Sequence, residues 1–269
     1  MKTIAIYCVN YHSYDRLNDY LLSIDTAAGQ TGTNVKLSVF VADNTVPATT
    51  VDFRPQHFSL SVVAVGENKG YFGAVRFLMD TMSPLDYDYV IISNVDVLLA
   101  DSFFVELTNL QIEESVGWIA PAILSQTLHF DFNPQAIQRY SLKKMKLLRL
   151  MFKYPRLLRL KQKILHQYRD VKPVSSGTIY AGHGSFIILT QAYFKKQKTI
   201  SYPLFLYGEE IYLAETCRQH ALEVRYVPKL EVQDIGKVST GKFSSKIYCQ
   251  YNYNAIDYLI KTFYEKTSK

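Results

Sequence analysis

Alternation of strand-like and helix-like segments in the first hundred residues most constrains the fold of this chain. Apolar runs at positions 3–10, 35–44, 60–65 and 87–93 have the composition of buried strands, and helical patterns follow the first and the third. This alternation is typical of a layered α/β fold with a mainly parallel central sheet flanked by helices. A chain of 269 residues is long enough to form one such domain.

Polar side chains follow each of these predicted strands. Asn10 ends the first strand, Asp43 ends the second, Asn68 follows the third, and the triplet Asn94–Asp96 follows the fourth. The carboxyl ends of parallel strands lie at one edge of a sheet, and ligands of open α/β sheets bind at that edge. We therefore expect these residues to surround one site.

The triplet Asn94–Asp96 interrupts an apolar run, and chains rarely bury a carboxylate that has no partner. Asp96, supplemented by the amide oxygen of Asn94, suits a hard cation such as Mg²⁺ or Mn²⁺ that keeps several waters and binds substrate phosphates. A turn in which Asp96 accepts hydrogen bonds from local amides is equally consistent with the sequence.

Glu209 and Glu210 begin a predicted helix in the segment YGEEIYLAETCRQHA. Adjacent acids in a cleft raise the pKa of one another, which suits a general base. Negative charge at a helix N-terminus is also favourable without any catalytic role. The sequence contains no dinucleotide-binding G-x-G-x-x-G, no P-loop and no Gly-x-Ser-x-Gly nucleophile motif.

Basic residues are concentrated in one segment. The chain has 30 basic and 24 acidic residues, and 11 of the basic ones lie in Arg139–Arg169, which contains no acid. The pattern predicts two amphipathic helices broken at Pro155. An anionic membrane surface is one partner for this segment, and a solvated helical face is the alternative interpretation. No nucleic-acid-binding motif accompanies the charge, so we expect no nucleic-acid partner.

The three cysteines, Cys8, Cys217 and Cys249, have neither disulfide nor metal-site spacing, which is typical of a reducing compartment. The N-terminus does not resemble a signal peptide, and no stretch reaches the roughly 18 apolar residues of a membrane span. We expect a cytoplasmic protein, with a peripheral location at the inner face of the plasma membrane as the second option.

Seven motifs follow one another along the chain: VNYH, VADN, ENKGYFGAVRF, SNVDVLL, AGHGSFIILT, YGEEIYLAETCRQHALEVRYVP and VQDIGKVS. In this order they resemble the motifs of the inverting family 2 glycosyltransferases, particularly the bacterial rhamnosyltransferase-like branch. The resemblance implies a single domain of the GT-A fold over residues 1–269. It would comprise a nucleotide-sugar-binding half (1–125), a basic helical insertion (138–170) and an acceptor-side, catalytic half with a C-terminal helix (177–269).

The resemblance also implies roles for individual residues. Glu210 matches the catalytic base, with Glu209 before it. Asp96 matches a ligand of Mn²⁺ or Mg²⁺, and Asp234 stands where many members carry a metal-binding His. Asn94 replaces the first acid of the family's D-x-D motif, a charge that Asp234 would restore. The residues that match nucleotide-sugar contacts are Val9, Tyr11, Asp43, Asn68, Gly70, Asn94 and Asp96.

The implied activity is that of an inverting hexosyltransferase. It would move a sugar from a UDP- or dTDP-linked donor to a hydroxyl of a glycan or lipid-linked acceptor, in bacterial surface polysaccharide assembly. Asn94 and Asp234 leave open a catalytically silent protein of the same fold that serves as a membrane or assembly module. A nucleotidyltransferase is a third class, although the segment CVNYHSYD lacks the Gly-rich, basic phosphate loop which that chemistry needs.

Overall fold

The computed structural model describes residues 1–156, 175–236 and 244–265. Its strands are β1 (Lys2–Asn10), β2 (Val35–Asp43), β3 (Ser59–Ala64), β4 (Tyr89–Asn94), β5 (Val97–Leu99), β6 (Val116–Ser125), β7 (Gly177–Ile179), β8 (Phe186–Thr190) and β9 (Glu223–Asp234). Its helices are α1 (Tyr14–Gly29), α2 (Tyr71–Thr81), α3 (Phe103–Asn109), α4 (Leu142–Lys153), α5 (Gln191–Lys196), α6 (Glu209–Gln219) and α7 (Ser245–Leu259), with a π-helical turn at Ile260–Tyr264.

These strands form a mixed, mostly parallel sheet in the order β3-β2-β1-β4-β8-β6-β9-β5, and β7 pairs with β9. The parallel block β3-β2-β1-β4 contains the four strands that the sequence predicts. Beyond it, β8 is antiparallel to both β4 and β6, and β6 and β9 are parallel. The α/β class predicted from the sequence is confirmed.

Helices cover both faces of the sheet, which β1 illustrates. Ala5 and Tyr7 belong to one apolar cluster, whereas Ile4, Ile6 and Cys8 belong to another, because successive side chains of a strand point to opposite faces. Helices α1 and α3 pack on the second cluster, and α2, α4, α5, α6 and α7 pack on the first. Both layers therefore bury the sheet and leave its edges and strand ends for ligands.

The prediction of the basic segment as two helices can be examined only in its first part. Helix α4 packs along α7, while the second predicted helix lies outside the described residues. Two of the arginines bind acids of the chain itself: Arg149 contacts Asp257 at 2.6 Å and Arg139 contacts Glu215 at 2.6 Å. Within the three described ranges, no helix has both the length and the apolar character that crossing a membrane requires.

The glycine-containing segment 176–190 forms two separate strands, β7 and β8. Tyr180 and Ala181 lie between them and bond with the backbone of Ala136. Ser13 directly precedes α1, but its side chain does not cap the helix, and its hydroxyl donates to the carbonyl of Tyr11 at 3.1 Å.

Candidate active site

The carboxylate of Asp43 lies at the end of β2 and is 1% exposed. Its Oδ1 accepts hydrogen bonds from the side-chain amide of Asn10 (3.1 Å) and the backbone N–H of Thr45 (3.0 Å). Its Oδ2 accepts one from the hydroxyl of Tyr14 at 2.6 Å. A carboxylate has about four acceptor positions, so one position remains for an N–H group of a ligand. Sequence reasoning missed Tyr14, which no motif marks.

Asn68 and Gly70 form a turn that is fastened to the end of β2. The side-chain amide of Asn44 donates to Asn68 Oδ1 at 3.2 Å and to the carbonyl of Gly70 at 3.0 Å, and the N–H of Gly70 also donates to Asn68 Oδ1 at 3.0 Å. Gly70 has a φ of 74°, and a Cβ there would lie 2.0 Å from the carbonyl oxygen of Phe205. Only glycine fits this position, so the turn has one shape.

Val9, Tyr11 and Asn94 lie at the same edge of the sheet. Val9 stands beside Asn94 in the register of β1 and β4, and the backbone N–H of Asn94 donates to the carbonyl of Ser185 at 3.0 Å. Tyr11 follows β1 and is 39% exposed, and its ring makes an edge-to-face contact with His12 at 4.5 Å between ring centres. These three residues therefore lie at the strand ends where the sequence predicts a site.

Tyr71, the first residue of α2, connects this edge to the glutamates and was also missed in the sequence. Its hydroxyl donates to the carbonyl of Gly184 at 3.0 Å. Burial raises the pKa of Tyr71 well above its usual value, and the nearby charges of Glu209, Asp96 and Glu210 raise it further. The hydroxyl therefore stays protonated while it donates to Gly184. Its only sequence signal is its position directly after Asn68-Lys-Gly70.

Glu209 and Glu210 begin α6 after two residues in the left-handed region, Tyr207 (φ 69°) and Gly208 (φ 87°). Glu209 is 5% exposed, and burial together with the charge of Glu210 raises its pKa. Glu210 is only half-buried. A Cβ on Gly184 would lie 2.8 Å from Glu210 Oε1, so the carboxylate occupies space that glycine leaves open.

The backbones of Asp96 and Asp234 lie close together where β5 pairs with β9. Val97 lies opposite Asp234, and the N–H of Ile235 donates to the carbonyl of Asp96 at 3.2 Å. The Oδ1 of Asp234 accepts the N–H of Gly236 at 3.1 Å. The described ranges contain no group of three or more His, Cys, Asp or Glu that could hold a metal. Two carboxylates fit Mn²⁺ or Mg²⁺ in kind, and such ions take their remaining oxygens from water and phosphate.

The structure thus places the predicted residues in two clusters. Asn10, Asp43, Asn68 and Gly70 are joined by hydrogen bonds, directly or through Asn44 and Thr45, at the end of the parallel strands. The charges of Glu209, Asp96 and Glu210 all act on the hydroxyl of Tyr71 and raise its pKa. Since Gly70 and Tyr71 are consecutive, the turn before α2 connects the hydrogen-bonded polar edge to the tyrosine that senses these acids.

Comparison with known proteins supports this arrangement at the level of the fold. The sequence matches no family model and no curated protein. The structure of GalNAc-T7 with UDP, GalNAc and Mn²⁺ is similar with a TM-score of 0.63 at 10% identity, over 99% of this chain and 50% of that one. S. aureus TarS 1–349 with UDP-GlcNAc gives a TM-score of 0.56 at 9% identity, over 98% and 68% of the two chains.

The TarS 1–349 complex with UDP is similar to the same degree, with a TM-score of 0.56 at 11% identity over 98% of this chain and 67% of that one. The chain spans about half the length of the GalNAc-T7 chain and about two thirds of TarS 1–349. Identities this low establish architecture alone. The expected architecture is confirmed: the chain has the GT-A fold.

Proposed function

We propose that this chain is an inverting glycosyltransferase that transfers a hexose from a nucleotide-diphosphate sugar to an acceptor hydroxyl. The observation that carries the proposal is the position of Glu210. Its half-buried carboxylate fills the space beside Gly184, and its charge, like those of Glu209 and Asp96, acts on the hydroxyl of Tyr71. A partly open carboxylate can reach an acceptor hydroxyl, which supports a role for Glu210 as the general base.

The donor would bind along the edge formed by residues 1–125. Val9 and Tyr11 would flank the nucleobase, and the remaining acceptor position of Asp43 suits an N–H of a pyrimidine ring, as in a UDP- or dTDP-linked donor. Asn68 and Gly70 would adjoin the nucleotide, and Asn94 would contact the donor beside Asp96. The rigid turn at Gly70 would hold this edge in one geometry.

Asp96 and Asp234 would hold the metal ion. Mn²⁺ or Mg²⁺ bound there would supply positive charge that neutralises the leaving diphosphate. Asn94 contributes no charge to this site, so the side chains of the described residues offer two carboxylates at most. The assignment of Asp234 as the second ligand is a proposal that single substitutions at both positions can test.

Glu210 would accept the proton of the acceptor hydroxyl as that oxygen attacks the anomeric carbon. The new bond from carbon to the acceptor oxygen forms on the face opposite the leaving group, and the bond to the diphosphate oxygen breaks with its electron pair moving to the diphosphate. One displacement inverts the anomeric configuration. This chemistry belongs to residues 177–269, the half that carries α6.

The test measures release of UDP or dTDP from a panel of sugar nucleotides in the presence of Mn²⁺ and candidate acceptors. We expect Glu210→Gln to lower turnover by about a hundredfold or more while binding of the sugar nucleotide persists. Glu231→Gln, on an exposed glutamate of β9, is the matched control. Full turnover of Glu210→Gln would contradict the assignment of the base.

We propose a glycan or lipid-linked acceptor in bacterial surface polysaccharide assembly and a place in the rhamnosyltransferase-like branch. Contact with an anionic membrane through Arg139–Arg169 belongs to the same proposal. In its described part, exposed apolar side chains such as Leu147 and Leu150 accompany the basic ones and support that contact.

A further inference from the structure

A cavity of about 170 Å³ adjoins Glu210. Met145, Leu148 and Phe152 line it from α4, and Ala255, Ile256 and Leu259 line it from α7. Three residues of α4 at helical spacing thus face α7 across an open space. Gly208, Glu210 and Ile211 at the start of α6 complete the lining.

The chemistry of the lining is mainly hydrocarbon. Beside Glu210, its polar side chains are Tyr140 and Asn252. Burial raises the pKa of Tyr140, and the charge of Glu210 raises it further, so this phenol stays protonated close to the carboxylate. A pyranose carries hydroxyls around its ring, and each one buried without a partner is costly. The cavity therefore fits an apolar group better than a sugar ring.

The cavity is large enough for such a group, since an apolar cavity of about 150 Å³ in another protein accommodates benzene. Leu148, Phe152 and Asn252 are only half-buried, so the space also opens toward solvent. Glu210 is common to the cavity wall and to the cluster around Tyr71. A molecule whose hydroxyl reaches Glu210 can therefore place its neighbouring atoms between α4 and α7.

We propose that this cavity binds an apolar group attached next to the acceptor hydroxyl, so that the acceptor is an amphiphile and not a free sugar. The inference rests on the proposed function, because it takes Glu210 as the base. It assigns acceptor selection to α4 and α7. An alkyl chain and an aromatic ring share the required chemistry, and acceptors with either substituent distinguish them.

The test measures binding of n-octyl β-D-glucoside, below its micelle-forming concentration, against methyl β-D-glucoside by ligand-observed NMR. Phenyl β-D-glucoside tests an aromatic ring in place of the alkyl chain. We expect the octyl or the phenyl compound to bind about tenfold or more tightly than the methyl compound. Ala255→Leu should remove that preference by filling the cavity, and Asn254→Leu on the exposed neighbouring position should keep it.

If Ala255→Leu fails to fold, Leu148→Gln serves as the second variant, since that half-buried side chain can become polar with less disturbance. Equal binding of all three glucosides, or an unchanged preference in the folded variants, would overturn the inference. Thermal shifts with UDP- and dTDP-sugars are measured on the same samples. Absence of any response to these donors refutes the proposed function, whereas a response without apolar preference refutes only the acceptor class.

Discussion

Adjacent glutamates at the start of α6 differ in environment, and this difference separates their roles. Glu209 is 5% exposed, and its own backbone N–H and that of Tyr207 donate to its carboxylate, yet burial and the charge of Glu210 dominate and raise its pKa. The raised pKa favours the protonated form of Glu209. In the proposed mechanism the less buried residue, Glu210, is therefore the one that acts on substrate.

This difference predicts how stability depends on pH. Between pH 4.5, the ordinary value, and its raised pKa, folded Glu209 keeps a proton that the unfolded chain releases, so stability falls as pH rises. Glu209→Gln removes this pH-dependent loss of stability because the amide does not titrate. We expect the variant to gain at least about 1 kcal/mol relative to the native chain between pH 5 and pH 8, measured by urea unfolding. The exposed Glu114→Gln should show no such trend, and a pH-independent difference for Glu209→Gln would contradict the prediction.

Gly184 provides the space that the Glu210 carboxylate occupies, which predicts an effect on activity without unfolding. A Cβ at position 184 would lie 2.8 Å from Glu210 Oε1, the end of a side chain that can move. Gly184→Ala should therefore lower kcat by about ten- to a hundredfold and leave the KM for the sugar nucleotide unchanged. Gly177→Ala is the control because nothing lies within 4 Å of the added Cβ. Native turnover in Gly184→Ala would show that the carboxylate does not need this space.

At the residue scale, the sequence indicates which side chains lie at the ends of strands. It does not indicate which side chains of other elements contact those strand ends. Asp43 and Asp96 are predictable because a polar residue interrupts an apolar run. Tyr14 and Tyr71 are not predictable, since each lies at the start of a helix and its contact is set by how that helix packs on the sheet. Tertiary contacts of this kind leave no local pattern.

Helix α6 is anchored on its inner side by the buried carboxylate of Glu215. Arg139 donates to it at 2.6 and 3.1 Å, Tyr180 at 2.6 Å and Arg218 at 2.9 Å. The guanidinium of Arg139 also lies 4.1 Å from the ring centre of Tyr264. One carboxylate thus ties α6 to the segment before α4 and to the C-terminal turn, which fixes the helix that carries Glu210.

Removal of this charge should destabilise the chain. Burial acts to raise the pKa of Glu215, but hydrogen bonds from Arg139 and its other donors hold it below the usual value. We expect Glu215→Gln to cost about 2–3 kcal/mol at pH 7, measured by urea unfolding. Glu223 is partly exposed and also contacts an arginine. Glu223→Gln should lower the free energy of unfolding by about 0.5 kcal/mol or less.

Urea unfolding of the native chain and Glu215→Gln at several pH values tests the cause of this stabilisation. A lowered pKa gives stability that is present above pH 4.5, the ordinary value of the group, and is lost as pH falls below it. The difference between the native chain and Glu215→Gln should therefore shrink in acid. Equal losses for the Glu215 and Glu223 variants at pH 7 would show that the buried network does not anchor α6.

At the element scale, local patterns predict the parallel strands and the first two helices, whereas they do not predict the full length of β9. The segment EVRYVP is followed by a bulge, after which β9 resumes: Pro121 pairs with Val227 and the next residue, Ala122, pairs with Glu231. Pro228 has no N–H for the ladder, so the sequence indicates an end there. Pairing with β6 and β5 restores the strand, and only the assembled sheet contains those partners.

For the whole molecule, the alternating first half is sufficient to predict an α/β sheet, because parallel strands need helical crossovers. The order of the remaining strands is not predictable in that way. Strand β8 inserts antiparallel between β4 and β6, and β5 is followed along the chain by β6 yet pairs with β9. These pairings join residues far apart in sequence, and they are what place Asp234 beside the turn of Asp96.

Several basic side chains in and around α4 are paired with acids of the chain itself. The positive charge available to a partner is therefore smaller than the count of basic residues indicates. Arg139 and Arg149 are engaged by acids of the chain, and Lys146 lies 3.4 Å from Glu265. Helix α4 also exposes Leu147 (56%) and Leu150 (45%) beside Lys143. Attachment of the protein to a membrane would therefore depend on insertion of apolar side chains as well as on the remaining basic charge.

The basic and exposed apolar side chains of α4 together predict that the protein floats with phosphatidylcholine vesicles that contain about one quarter phosphatidylglycerol. Binding should be lost with pure phosphatidylcholine vesicles or at about 0.5 M salt. The double variant Leu147→Ser with Leu150→Ser should weaken binding about tenfold, because two exposed apolar side chains no longer enter the interface. Leu22→Ser on α1, where the leucine is 59% exposed, controls for loss of an exposed leucine elsewhere. Binding that is unaffected by the double variant would exclude insertion of α4, and absence of binding even at low salt would exclude this membrane contact altogether.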